Sequence, residues 1–333
     1  MAAIKSYKGF DKNLKCRDFQ YEIGKEYEMD EEIKMCNRGF HACESPFEVF
    51  DHYSMIGSRF CEVEQDGNIS KEDRGTKICS SKIKIKAELK LADMINLGVE
   101  WLKEITSPEK IKTSMKDNSS GNNAQIGSSG NYAKIGSSGN YAKIGSSGYY
   151  AKIGSSGDDA QIGSSGDDAQ IGSSGNNAQI GSSGNYAKIG SSGNYAKIGS
   201  SGYYAKIGSS GDDAQIGSSG DDAQIGSSGN NAQIGSSGNY AKIGSSGNYA
   251  KIGSSGDDAQ IDSTGEGCVI MCAGINSVAK ASKGSWITLS EWSYSDKKQR
   301  YIPVCVKTEF VDGEKIKADT YYKLAGGVFK EIQ

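Results

Sequence analysis

The feature that most constrains this chain is a nine-residue repeat. From 121 to 264 it runs as sixteen consecutive nonapeptides of the form G-x-x-A-z-I-G-S-S, 144 of 333 residues, and only the last departs, as Asp262, Ser263 and Thr264. A second period lies over the first. The variable pairs NN, NY, NY, YY, DD, DD return after 54 residues, so that 121–174 is identical to 175–228. Identity of that length within one chain implies recent duplication, and an adjustable repeat number suits a spacer, a ruler or a multivalent surface better than a single active site.

Gly/Ser richness alone reads as a flexible linker, although 45 Gly against 3 Pro excludes a collagen or a Pro-rich spacer. The phase of the apolar residues points to order. Every unit keeps Ala and Ile two residues apart, as in Ala133 and Ile135, which puts both on one face of a short strand. A linker has no reason to hold that phase sixteen times, so an ordered β-solenoid is expected. Within each unit x-A-z-I-G is expected to be the strand and S-S-G the turn. Two units per 18-residue coil is the expected winding, with three per coil as the alternative, since both divide the 54-residue period. At a strand spacing of about 4.8 Å, eight coils make a rod of roughly 38 Å, with a core of Ala and Ile alone.

The expected fold class is therefore mainly β, a nonapeptide solenoid between an N-terminal α+β domain and a small C-terminal β unit. The segments are a head at 1–110, a cap at 111–120, the solenoid at 121–264, degenerate terminal coils at 265–284 and a C-terminal β cap at 285–333. In the head, the alternation of 82–89 (KIKIKAEL) predicts a strand. Ser45, Pro46 and Glu48 read as a capping box opening a helix through FEVFDHY, and 91–105 carries Leu91, Met94, Ile95, Leu102 and Ile105 at helical spacing. The degenerate coils are expected to bury Val269, Ile270 and Met271, and Asp312-Gly313 marks a hairpin leading into a KIKA strand.

The outward positions covary. Where the third residue of a unit is Tyr the fifth is Lys, and where it is Asp or Asn the fifth is Gln. At two units per coil one face reads Tyr/Lys, Tyr/Lys, Asp/Gln up the rod. The candidate binding residues are Tyr132, Lys134, Tyr141, Lys143, Tyr150, Lys152, Asp159 and Asp168 in the first 54-residue copy. In the second they are Tyr186, Lys188, Tyr195, Lys197, Tyr204, Lys206, Asp213 and Asp222. Self-neutralisation of the charged rows accounts for this pattern; so do stripes that stack a base or grip an acidic partner. Calcium binding of the β-roll type needs Asp two residues before the buried aliphatic, where every unit has Ala. A formal charge of −3 leaves no broad basic face, so nucleic acid or nucleotide is not the favoured partner; a host protein or a second copy is. No apolar run approaches the roughly 20 residues of a membrane span and the N-terminus lacks a signal-peptide core, so a cytoplasmic protein with eight reduced cysteines is expected.

Outside the repeats, the segment Cys36-Asn37-Arg38-Gly39-Phe40-His41-Ala42-Cys43-Glu44 places one of only two His between two thiols. Cys36, His41 and Cys43, completed by Cys16 or Cys61, form a candidate zinc set, and buried structural thiols and imidazole are the alternative. No catalytic residue and no cofactor is assigned. The order Tyr21-Glu22-Ile23-Gly24, Gly39-Phe40-His41, a helix, and a strand at 59–63 resembles the core of ADP-ribosyltransferase-type domains, without their Ser-Thr-Ser element. That likeness implies an enzymatic head with the rod as a presenting arm.

Both flanks resemble a family of uncharacterised bacteriophage and prophage proteins in which similar ends bracket variable short repeats. The segments that carry it are KGFDKNLKCRDFQYEIGKEYE, CNRGFHACESPFEVFDHY, KGSWITLSEW and YIPVCVKTEFVDGEKIKADTYYKL. The resemblance implies a mobile-element origin and a bacterial cytoplasm, and it implies no activity. The leading expectation is a non-enzymatic binding protein acting through its repeated surface, with neutralisation of a host defence factor as its most concrete form. The other alternative is a structural spacer or self-assembling fibre component, and homo-oligomer formation is a natural way to cover exposed sheet edges.

Overall fold

The computed structural model describes residues 3–30, 32–72, 75–107, the backbone of 118–119, and 121–332. The cap expected at 111–120 lies outside the described residues apart from that backbone pair. The chain divides into two units, Met1–Trp101 and Leu102–Gln333.

The first unit runs β1 (Ile4–Phe10), β2 (Lys15–Cys16), β3 (Phe19–Gln20), β4 (Glu26–Glu28), β5 (Phe40–Cys43), α1 (Pro46–Val49), β6 (Arg59–Lys71), β7 (Lys77–Leu89) and α2 (Leu91–Thr106), which crosses into the second unit. β6 and β7 form a long antiparallel hairpin, β1 pairs with β6, and β5 bridges β1 to β7, closing a small antiparallel barrel. Closure removes two sheet edges and lets short alternating strands share one core, in which Ile83 and Ile85 of β7 pack with Phe10, Cys61 and Val63. The capping box does not form. Ser45 makes no side-chain cap, and Glu48 Oε2 instead accepts hydrogen bonds from Thr76 N and Oγ1 at 2.7 Å each. With its carboxylate drawn to the β6–β7 turn, α1 is a single turn ending at Val49.

The second unit is the solenoid. After β8 (Asn118–Ser119), eighteen four-residue strands follow, from β9 (Gln125–Ser128) to β26 (Val278–Ala281). Each up to β25 pairs in parallel with the strand two along, as in Ile198↔Ile216, so a coil has 18 residues and two strands. Even-numbered strands form one sheet and odd-numbered strands the other. The C-terminal segment adds β27 (Trp286–Ser295) and β28 (Arg300–Phe310) to the odd sheet, and β29 (Tyr321–Ala325) and β30 (Val328–Ile332) to the even one. Both ladders thus end in antiparallel hairpins, which supply partners to the last coil's open backbone.

The phase within a unit differs from the expected one. The strand is z-I-G-S, as in Lys197–Ser200, and the third residue belongs to the turn, with φ between 53° and 61° in all sixteen units. Ala, Ile and the first Ser alternate inward, so the core contains a row of serines as well as Ala and Ile. From Gly139 onward the first Gly of each unit stacks directly against the carbonyl of its counterpart one coil below, where no Cβ fits. The second residue has a structural role: Asn194 N donates to Asn176 Oδ1 at 2.9 Å and Asp212 N to Asn194 Oδ1 at 2.9 Å. That ladder explains why so many units carry Asn or Asp there.

The inward serine hydroxyls, among them Ser173, Ser191 and Ser209, are buried without hydrogen-bond partners. Successive coils lie too far apart for one hydroxyl to reach the next. Ser191→Ala is therefore expected to raise stability, by about 1 kcal/mol, because it removes a desolvated polar atom and no bond. Denaturant unfolding checks this.

Two further expectations are corrected. In the terminal coils Ile270 is buried, but Val269 and Met271 occupy outward strand positions and are exposed. The KIKA segment after Asp312-Gly313 is not a strand: Asp312 Oδ1 accepts from Glu314 N and Ile316 N and turns the chain there. Among the described residues no helix is long and apolar enough to cross a membrane.

Candidate functional site

The sixteen candidate binding residues fall on two different sheets. Tyr132, Lys134, Tyr150, Lys152, Asp168, Tyr186, Lys188, Tyr204, Lys206 and Asp222 belong to even-sheet units, and Tyr141, Lys143, Asp159, Tyr195, Lys197 and Asp213 to odd-sheet units. Up the even side the third position reads Tyr, Tyr, Asp; up the odd side it reads Asn, Tyr, Asp. The covarying Tyr and Lys are neighbours across the turn–strand junction rather than along one strand.

The two sheets are chemically alike and differently covered. On the even sheet the outward glycines, including Gly154, Gly172 and Gly208, are buried, and Lys206 is only 5% exposed. Thr106 and Leu102, at the end of α2, lie over Gly154 and Gly172 so closely that a Cβ there would strike them. Asp262, which replaces that glycine in the last unit, is buried and paired with Lys280 at 3.0 Å. On the odd sheet the matching glycines, from Gly127 through Gly235, are exposed with nothing above them. They floor a shallow trough along the sheet, walled by Lys143, Lys197, Lys251 and the intervening Gln and ending at Val269 and Met271. No pattern within the repeat separates the two rows of glycine, so the sequence carried no signal for this difference.

The tyrosines are held in an expensive conformation. All eight have φ near 58°, in the left-handed region that Asn and Asp tolerate and a bulky ring does not, at a cost of about 1 kcal/mol each. On the even side Tyr132 stacks on Tyr150 at 5.0 Å and Tyr186 on Tyr204 at 5.1 Å, which offsets part of that cost. On the odd side Tyr141, Tyr195 and Tyr249 stand between Asn and Asp or Glu-Gly units, 57%, 58% and 61% exposed.

The head holds a cavity of about 860 Å³ that gathers the remaining candidates. Cys36, His41 and Cys43 all line it but do not assemble a metal set: His41 Nε2 accepts a hydrogen bond from Cys36 N at 3.0 Å, and Cys36 Sγ lies 3.6 Å from Lys77 Nζ. Among the described residues no three His, Cys, Asp or Glu converge on a metal position. Burial pushes the Cys43 thiol up to about 12, with Glu48 adding to the shift. Desolvation, reinforced by Lys8, holds His41 down at about 4. Because the unfolded imidazole titrates near 6.5, it takes up its proton first as the pH falls, and the head loses stability between 6.5 and about 4. His41→Gln is expected to flatten that part of a stability–pH profile.

Sequence reasoning missed Lys8, which sits on β1 on the same face as Phe10 and is 4% exposed in the cavity wall. Its Nζ donates to His41 O at 2.8 Å and lies 3.6 Å from Cys16 Sγ, to which Tyr53 OH donates at 2.8 Å. The only sequence signal was its place two residues before Phe10, on the same face of a strand.

Residues 4–97 match the family model described as Domain of unknown function (DUF7666), a match that ends before the solenoid begins. No curated protein and no solved structure matches the chain.

Proposed function

We propose that this is a non-enzymatic binding protein that engages a protein partner through the open face of its odd sheet. The observation that carries the reading is the set of unstacked, left-handed tyrosines Tyr141, Tyr195 and Tyr249, each beside an exposed lysine. Asn occupies the same turn elsewhere in the same column at lower conformational cost, so the ring is retained for what it contacts outside the chain. The three Tyr/Lys pairs recur every three coils, about 14 Å apart, which lets weak contacts add along one partner. The likeness of both flanks to phage and prophage proteins favours a bacterial host protein as that partner, a defence factor being the most specific case.

Replacing Tyr141, Tyr195 and Tyr249 together by Asn separates binding from folding. The variant is expected to be more stable than the parent, by about 2–3 kcal/mol in total, and to lose a partner that the parent retains on pulldown from host lysate. Failure of the parent to retain any protein above a solenoid-deleted control, or equal retention by the variant, overturns the reading. The cavity of the head favours a second reading as an enzyme of ADP-ribosyltransferase type, and transfer of label from NAD to lysate proteins by the full chain distinguishes it.

A further inference from the structure

The head cavity contains a buried lysine amine that no carboxylate among the described residues pairs with. Lys8 Nζ has as neighbours a backbone carbonyl, the Cys16 sulfur and the rings of Phe10 and Tyr21 at 5.5 and 5.6 Å. No carboxylate lies within ion-pairing distance of it among the described residues. A buried ammonium is costly unless paired. Arg17 and Lys77 line the same cavity with three acids, Asp18, Glu26 and Glu28, of which Glu26 and Glu28 both face Lys82, at 2.8 and 3.6 Å. One wall is aromatic: Phe19, Tyr21, Tyr27 and Phe40 meet edge to face at 4.7 to 6.5 Å, with Phe19 exposed at the rim.

We infer that this cavity binds a small organic anion carrying a planar ring, its carboxylate or phosphate seated on Lys8 with Arg17 beside it and its ring against the Phe19–Tyr21–Tyr27 wall. Anion and amine each supply what the other lacks, and the ring covers aromatic surface now open to solvent. The titratable groups around the amine are Cys16 on β2 with Arg17 and Asp18 after it, Tyr21, His41 and Cys43 on β5, His52, Tyr53, and Lys77 on β7. Among the described residues no carboxylate is hydrogen-bonded or ion-paired to Lys8, so the ligand's anionic group supplies the pairing it lacks. Desolvation lowers the affinity of Lys8 for its proton in the empty cavity, and a bound anion restores it; affinity therefore falls at alkaline pH as the amine deprotonates.

The test uses the full chain with benzoate and phenyl phosphate as anionic probes and benzamide as their neutral counterpart, titrated by calorimetry or ligand-observed NMR. At least one anion is expected to bind tenfold or more tightly than benzamide, and the better of the two assigns carboxylate or phosphate. Lys8→Met is expected to abolish that preference while melting no lower than the parent, because it exchanges an unpaired buried charge for an apolar chain of similar length. Between about pH 7 and about pH 10 the parent is expected to lose affinity for the anion and Lys8→Met is not. If Lys8→Met does not fold, Arg17→Gln and the parent's own pH dependence decide. Equal binding of benzamide, no binding of either anion, or unchanged anion binding by Lys8→Met overturns the inference.

Discussion

Gly193→Ala is expected to break the rod, and Gly199→Ala, six residues further on, to leave it intact. A Cβ on Gly193 would fall on the carbonyl of Gly175 one coil below and within 2.9 Å of the Asn176 amide nitrogen, and neither is a side chain able to turn aside. The coils have to part, at a cost of about 3 kcal/mol or more. Gly199 faces outward on the odd sheet with nothing within 4 Å, so alanine there narrows the unfolded ensemble and stabilises by about 0.4–1 kcal/mol. Gly154→Ala, on the covered even sheet, should resemble Gly193→Ala, since its Cβ would strike the Thr106 carbonyl. Chemical denaturation of the three variants checks the order. Equal effects at Gly154 and Gly199 would sink the distinction between a covered and an open face.

Removing 175–228 should be far less harmful than removing the C-terminal 49 residues after 284. The internal deletion joins units of the same phase and takes away three whole coils, shortening the rod by about 14 Å without exposing an edge. It is expected to unfold cooperatively at a similar temperature. Truncation after 284 removes β27 to β30 and leaves both β25 and β26 with an unpaired backbone edge over a core of Ile and Ala. The expected result is end-to-end association, read as a rise in sedimentation coefficient with concentration. A truncated chain that stays monomeric and stable would show that the hairpins are not needed as caps.

Much of this protein was legible because a repeat makes its own alignment. The inward pair Ala133 and Ile135, kept in phase sixteen times, predicts a strand and a core, and the 54-residue period narrows the winding to two choices. The strand boundaries were misplaced because x-A-z-I-G and z-I-G-S share the same alternation. What separates them is the left-handed third residue, which Tyr204 adopts against its own preference. Ser191 reads as a turn residue by composition, yet it faces inward, because a thin core has room for nothing larger at the corner. Glu48 has the spacing of a capping box and was claimed instead by Thr76, a partner 28 residues away.

The sequence by itself determined a coil of two or three nonapeptides, an Ala/Ile interior and the Tyr–Lys pairing, all local consequences of a nine-residue pattern repeated in phase; two units per coil and the inward serines came from the tertiary structure. Only the tertiary structure decided which surface is available. Gly154 and Gly163 have the same neighbours in sequence, apart from the pairs at the turn and Lys152 against Gln161, and one lies under Thr106 while the other faces solvent. Lys8 likewise carries no local mark of burial, and it is buried because β2, β5 and Tyr53 close over it. Covering and burial arise between segments distant along the chain, and a local pattern holds no record of what will be folded on top of it.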